Sequence, residues 1–433
     1  MLDDPAAPQV AAPHSAECAQ PPCVTGISPV ALFAIAASYE AAGRLDEAES
    51  LLRALTADPE IEYRTEARFR LGKLRERRGD RTGAIAAYRA LLDEKPNATR
   101  VRLDLARLLA FEGDESGARR ELRMAGTGTL PEEVARAVDQ FATALRSRKP
   151  FGATAEVAIA PDSNINASTS QRTIETIVND LPLSRDARAT SGVGLALSGQ
   201  AYARVKLVGQ SVLTRLSARA DLYDAGKFND ISVSLASGPE LRIGRMQLRP
   251  AVLVGRRWFG SERYSTSVGG TVNLSRPVGR KAQIEADLTA LRSSFRLYAQ
   301  DGMAYDGSVA IDRAFSPRLS IRLGARISRQ DARDPGYATT ARTLDALVAR
   351  RWGRQTVFAQ LSYTAVSADA RLFLFPERRR DRRWDATIGF VARGLQICGL
   401  SPLVRIMRSQ STSTVGLYEF RRTRVEFALS RDF

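Results

Sequence analysis

The stretch Leu319-Ser-Ile-Arg-Leu-Gly-Ala-Arg-Ile-Ser328 sets Leu319, Ile321, Leu323, Ala325 and Ile327 against Ser320, Arg322, Gly324, Arg326 and Ser328. Successive side chains of a strand point to opposite faces, so this is a strand with one apolar and one polar side. The same alternation recurs at Leu216, Ala218, Ala220 and Leu222, interleaved with Arg215, Ser217, Arg219 and Asp221. It persists across residues 190–433, with Arg returning on the polar face. A soluble sheet would break such a pattern with apolar core runs. A transmembrane β-barrel requires it, because lipid touches the outside and water the inside.

Turn chemistry divides this region. Short signals fall near Arg204, Pro239–Gly244, Arg276–Arg280, Ser316–Arg318, Gly353 and Gly394–Gly399. Longer polar segments fall at Asp162–Ala189, Tyr223–Asn229, Phe259–Tyr264, Leu297–Asp301, Asp331–Thr339, Asp369–Arg380 and Ser409–Gly416. Together they predict an antiparallel barrel of about 14 strands over 150–433, short turns on the periplasmic side and long loops outside. An even strand number returns both ends to the periplasm. Pro277 and Pro317 suit turns, whereas Pro376 and Pro402 fit strands poorly. Trp258, Phe259, Tyr264, Tyr298, Tyr305, Tyr337, Trp352, Phe373, Phe375 and Trp384 gather near predicted strand ends, as an aromatic girdle would. The final strand, Val425-Glu-Phe-Ala-Leu-Ser-Arg-Asp-Phe433, ends on an aromatic. Phe433 resembles the C-terminal signal read by the bacterial barrel-assembly machinery, with Arg431 where an apolar residue is usual.

The N-terminal part has a different period. Gly43-Arg-Leu-Asp-Glu-Ala48, Gly79-Asp-Arg-Thr-Gly-Ala84 and Gly113-Asp-Glu-Ser-Gly-Ala118 are three copies of one turn. Their interval is close to the period of about 34 residues that marks the helix–turn–helix of the tetratricopeptide repeat. Residues 28–149 are therefore expected to form an α-solenoid of three such helix pairs, followed by a capping helix at Glu132–Phe141. Arg64, Arg68, Arg75 and Arg78 lie along a first helix, where they are either a solvated face or a groove for a client protein. Residues 1–27 read as a disordered Pro- and Ala-rich leader or linker. They lack the basic start and apolar core of a signal peptide, so export implies a segment outside this sequence.

The formal charge is +16, and only six of 64 basic residues are Lys. No basic block with interleaved aromatics suggests nucleic acid; anionic lipopolysaccharide is the simpler partner for dispersed arginines. Cys18 and Cys23 could pair in an oxidising compartment or stay free, and Cys398 stands alone. With His14 the single histidine, no metal, cofactor or catalytic constellation is expected, and no enzyme activity.

The segment Phe151-Gly-Ala-Thr-Ala-Glu-Val-Ala-Ile-Ala160 runs into Pro161-Asp-Ser-Asn-Ile-Asn166. A short tetratricopeptide domain ahead of a fourteen-strand barrel that opens with this Asp-Ser-Asn-x-Asn element resembles the surface lipoprotein assembly modifiers, the Slam family. The resemblance implies an outer-membrane translocator that delivers surface lipoproteins or related small secreted proteins. It draws attention to Asp162, Ser163, Asn164 and Asn166, which from chemistry alone would simply make a turn. Alternatives from other classes are a repeat-fused exopolysaccharide exporter, a porin-like barrel with a periplasmic scaffold, and a soluble repeat adaptor with a β-sandwich.

Overall fold

The computed structural model describes residues 27–125, 150–207, 210–353, 355–392, 395 and 400–430. The leader, the expected capping helix, Phe433, His14 and all three cysteines lie outside the described residues. Among those described, six helices come first: α1 (Pro29–Ala41), α2 (Leu45–Leu55), α3 (Ile61–Arg77), α4 (Arg81–Glu94), α5 (Thr99–Glu112) and α6 (Glu115–Ala125). The repeated turn explains their ends. Gly43, Gly79 and Gly113 all take positive φ, the left-handed conformation that stops a helix without a Cβ clash. Asp80 and Asp114 follow. Asp80 accepts from the Gly83 amide at 2.8 Å and caps α4. Asp114 accepts from the Gly117 amide at 2.7 Å and caps α6. Ala48, Ala84 and Ala118 are fully buried, so the small residue of each copy sits where helices meet.

The chain packs as two compact units, one through Leu74 and one from Arg75 onward. In the first, Phe33, Ala36, Leu52, Leu55, Ala67 and Leu71 form the core. The second holds α4 to α6 together with the sheet.

The strands are β1 (Phe151–Asp162), β2 (Thr173–Ile174), β3 (Leu181–Pro182), β4 (Gly192–Leu207), β5 (Gln210–Tyr223) and β6 (Asp230–Ile243). Then come β7 (Met246–Phe259), β8 (Glu262–Val278), β9 (Ala282–Phe295), β10 (Gly302–Ser316) and β11 (Leu319–Gln330). The last are β12 (Thr339–Trp352), β13 (Gln355–Arg371), β14 (Arg378–Ala392), β15 (Ser401–Ser413) and β16 (Phe420–Ser430). β2 and β3 pair only with each other; the other fourteen close into one antiparallel barrel in which β1 lies between β16 and β4.

The alternation does what lipid demands. Leu323 is 53% exposed on the outer face, along with Val252, Leu288, Val309, Leu344, Leu361, Ile388 and Ile406. Arg322 faces inward, 3.0 Å from Glu285 and 2.5 Å from Asp312. Along β7 to β13, ladder pairs such as Thr271–Thr289 at 2.9 Å and Thr343–Thr364 at 3.0 Å add side-chain bonds to the backbone pairing. No described helix is long and apolar enough to cross a membrane; the crossing belongs to the strands.

Three local expectations are corrected. Pro239 and Pro277 lie inside β6 and β8, opposite Val212 and Gln283, rather than in the turns that follow. The Phe259–Tyr264 segment is a tight hairpin in which Gly260 and Ser261 both take positive φ, which matches the twist of β7 and β8. Phe375 and Tyr337 are not part of a girdle. Phe375 is buried in a small core outside the barrel ends, with Ile174, Leu372 and Val415, and Tyr337 packs beside it. That core draws the long first loop onto the β13–β14 and β15–β16 loops, aided by the Ile177 amide donating to the Leu374 carbonyl at 3.0 Å. Pro376 falls in the β13–β14 loop, and Pro402 begins β15 opposite Leu429.

Faces assigned this way make Leu323→Arg much more damaging than Arg322→Ala. Arginine on the lipid face near mid-strand costs about 2–4 kcal/mol. The heat-modifiable fraction on unboiled gels should fall for Leu323→Arg and stay near the parent level for Arg322→Ala; equal losses would mean the register is shifted by one.

Candidate functional site: the short-turn mouth and the barrel seam

Two polar assemblies stand out because they bury charge. The first joins the helices to the barrel at its short-turn end. α6 lies against lumen-facing side chains of β7, β9 and β12. Glu121 is buried and pairs with Arg351 of β12 and with Arg102 of α5, the latter at 2.6 Å. Arg102 is 1% exposed and also donates to the Pro96 carbonyl at 2.9 Å and to the Pro317 carbonyl, in the β10–β11 turn, at 2.8 Å. Arg119 donates to Gln247 of β7, and Arg123 donates to Gln283 of β9 at 3.0 Å. Apolar Leu122 and Met124 on the same helix are buried as well.

The electrostatics are consistent with a latch. Burial by itself would raise the Glu121 carboxyl, but Arg351 and Arg102 beside it hold it well below the usual carboxylate range. A depressed folded value gives stabilisation that is complete above the ordinary value of 4.5 and fades as pH falls below it. The docked helix is therefore expected to be indifferent to pH between about 5 and 8 and to loosen only in stronger acid.

The second assembly sits at the opposite end of the seam between the first and last strands. β1 pairs with β16 from Glu156↔Ser430 to Ile159↔Phe427 and again at Asp162↔Arg424. The gap is at Ala160 and Pro161, and proline has no N–H to give. The Asp-Ser-Asn-x-Asn element compensates. The Asp162 carboxylate is fully buried; it accepts from Arg422 Nε at 2.8 Å and lies 3.8 Å from Arg424. The Ser163 amide donates to the Thr423 carbonyl at 3.0 Å, and the Ser163 hydroxyl accepts from the Thr423 amide at 2.8 Å. Asn164 Nδ2 donates to the Ser168 and Arg421 carbonyls at 2.8 Å and 3.0 Å. Asn166 reaches the other way, donating to the Asp186 and Arg188 carbonyls and accepting from the Thr190 amide. The element thus stitches the barrel shut and ties down the start and end of the first loop.

Charge continues along the seam inside the barrel. Arg424 reaches Asp221 of β5 at 2.6 Å and the Tyr223 hydroxyl at 3.3 Å. Arg405 of β15 bridges Glu426 of β16 and Glu156 of β1. Sequence reasoning singled out Asp162 but missed these partners, because a strand pattern does not say which strand closes against which. It also missed Glu121 and Arg102, whose positions look like ordinary helix surface.

The four arginines expected to line a groove are placed differently from one another. Arg64 donates to the Asp58 and Pro59 carbonyls at 2.7 Å and 2.9 Å, and Arg68 approaches the Thr56 carbonyl at 3.5 Å, bracing the turn after α2. Arg75 donates to the Gly83 carbonyl at 3.3 Å. Arg78 is exposed in the turn after α3. Among the described residues, no group of three His, Cys, Asp or Glu side chains is placed to hold a metal ion.

Removing one partner of a buried pair leaves the other charge stranded, at a cost of about 3–5 kcal/mol. Glu121→Gln should therefore free α6, seen as faster hydrogen exchange of its amides with the barrel still intact. Asp162→Asn should instead weaken the seam and lower the temperature at which the barrel unfolds on gels. Unchanged exchange in the first case, or an unchanged transition in the second, would contradict these roles.

Comparison with known proteins places the architecture. The family model for surface lipoprotein assembly modifiers matches residues 153–433, more than half of the chain, and a tetratricopeptide repeat model matches residues 77–129. A relative from Haemophilus influenzae, Surface lipoprotein assembly modifier 1, is 21% identical over 375 residues, covering 83% of this chain and 76% of that protein. Among solved structures, a Pseudomonas aeruginosa FadL homologue aligns with 71% of this chain and 93% of its own at 12% identity and a TM-score of 0.40. A bacterial polysaccharide outer membrane secretin aligns with 64% of this chain and 98% of its own at 11% identity and a TM-score of 0.33. With a closed fourteen-strand barrel behind tetratricopeptide-type helices and a family match across the barrel, the chain belongs to the surface lipoprotein assembly modifier family.

Proposed function

We propose that this protein is an outer-membrane translocator that passes surface lipoproteins, or related small secreted proteins, to the cell surface without catalysing a covalent reaction. The observation that carries this reading is the docked α6: a helical domain that seats its last described helix inside the short-turn mouth is placed to couple client capture to opening. The working division is a leader over 1–27, a helical domain over 28–149 and the barrel over 150–433.

In this reading the resting barrel is closed twice. Glu121, Arg351 and Arg102 hold α6 at the periplasmic mouth. The first loop, pinned by Asn164 and Asn166 and packed through Ile174 onto Phe375 and Val415, lies over the other end. A client that binds the helices would displace α6 by competing for its partners, and the path then runs through the lumen or the Pro161-weakened seam. Asp162, Ser163, Asn164 and Asn166 are proposed as the device that lets the seam and first loop move together. The barrel-assembly machinery would insert the protein, with Phe433 as its docking point. Energy would come from client folding outside, since the periplasm supplies no nucleotide.

Two outcomes test this. Deleting residues 1–149 should leave a barrel in the outer membrane that displays its client poorly, measured by protease or antibody access on intact cells at matched barrel levels; full display would reject capture by the helices. Reversing Arg64, Arg68, Arg75 and Arg78 to Glu should lower display only partly, since partly exposed charges contribute about 0–1 kcal/mol each. Loss of display in step with loss of helical melting would assign the row to bracing alone.

A further inference from the structure

The sequence Arg378-Arg-Arg-Asp-Arg-Arg-Trp-Asp385 on β14 has a use that translocation does not explain. Its alternate residues separate cleanly. Inward, Arg379 pairs with Asp381 at 2.6 Å and Arg383 pairs with Asp385 at 2.7 Å. Outward, Arg380 and Arg382 are exposed and have no carboxylate partner among the described residues. The neighbouring strands repeat the division. Arg421 of β16 and Arg408 of β15 are exposed on the outer face, and the contact found for their guanidiniums is Arg408 to the Thr423 hydroxyl at 2.6 Å. On the same strands Arg422, Arg424 and Arg405 turn inward onto Asp162, Asp221 and Glu426.

Register fixes where the outward four lie. Tyr363 of β13, Trp384 of β14, Gln410 of β15 and Arg421 of β16 are direct neighbours across the sheet. The Tyr363 and Trp384 rings meet with centroids 4.6 Å apart and mark the level of an aromatic girdle. Arg382 and Arg380 are the next two outward positions on β14 toward the long-loop end, and Arg408 is one outward step below Gln410. Below them the outer face is apolar, with Ile388, Phe390, Ile406 and Phe427 exposed. Across the seam, β1 and β4 present Pro161 and Val193 instead of arginine.

Four guanidiniums on three neighbouring strands along the upper part of an apolar face, with Asp381, Asp385 and Glu426 of the same strands turned inward, leave positive charge that an anion from outside can neutralise. Arginine binds phosphate through paired N–H donors, and an apolar face beneath suits acyl chains. We propose that Arg380, Arg382, Arg408 and Arg421 form a binding site for the phosphates of an outer-leaflet phosphoglycolipid, the lipid A part of lipopolysaccharide, on the β14–β16 flank of the seam. This stands independently of the client and of the translocation route.

The test is binding of purified full-length protein in detergent to three probes: bisphosphorylated lipid A, the same lipid with its phosphates removed, and inorganic phosphate. The parent protein should bind bisphosphorylated lipid A, bind the dephosphorylated lipid at least about tenfold more weakly, and lose little lipid to millimolar phosphate. Replacing all four arginines with Gln should weaken binding by about tenfold or more, since the loss of even one charge-assisted hydrogen bond is about tenfold. Heat-modifiability on gels confirms that the variant is folded. If it does not fold, Arg380→Gln/Arg382→Gln alone should still weaken binding severalfold, while Arg256→Gln/Arg292→Gln on β7 and β9 should not. Equal affinity of parent and variant, equal affinity for dephosphorylated lipid, or displacement by inorganic phosphate alone would each overturn the site.

Discussion

A strand in hydrocarbon has no water for its backbone, so every N–H and C=O must find a partner in the sheet. Closure is thus obligatory for residues 150–430, and the last joint to close, β1 against β16, is the constraint on which the rest depends. It is also the joint with a proline in it. Pro161 removes one donor, and the chain answers by burying a carboxylate, Asp162, against two arginines of the partner strand. A buried ion pair of this kind adds little net stability compared with apolar packing, but it is costly to break on one side only. That combination suits a joint that must be defined when shut and need not be the tightest in the barrel. The neighbouring ladder β1–β4, by contrast, pairs without interruption from Phe151 to Asp162.

The same logic governs the short-turn end. α6 could have been covered by apolar surface, yet its contact with the barrel is made through Glu121, Arg119 and Arg123 against Arg351, Gln247 and Gln283. Polar contacts with defined partners can be exchanged for equivalent contacts with another molecule. A wholly apolar plug would have no such route. Both closures therefore have the character of joints with replaceable partners, set in a wall whose neighbouring strands are held by continuous backbone ladders.

Most of the barrel was legible because its physics is periodic: two unlike solvents impose an alternation that a single sequence displays, and turns and loops of unequal length reveal which end is which. The helical turns were legible for a similar reason, since Gly43, Gly79 and Gly113 must each supply the same positive φ. What was not legible is everything set by long-range pairing. Asp162 reads as a turn residue until Arg422 and Arg424 are brought to it from the far end of the chain. Glu121 reads as helix surface until Arg351 meets it across 230 residues. Phe375 and Tyr337 look like girdle aromatics by position, and only the folding-over of the first loop turns them into a core. The outward arginines of β14 read as dispersed charge until the register separates them from the inward pairs.

Under the proposed function, α6 closes the periplasmic mouth and must leave it for a client to pass. The most direct measurement is to join α6 to β7 through cysteines at positions 119 and 247 with a short, reducible bifunctional reagent, and to follow client exposure on intact cells before and after reduction. If α6 is the gate, the joined protein, although present and folded in the outer membrane, fails to display its client and recovers on reduction. Full display while α6 is still tethered to the barrel would contradict that role.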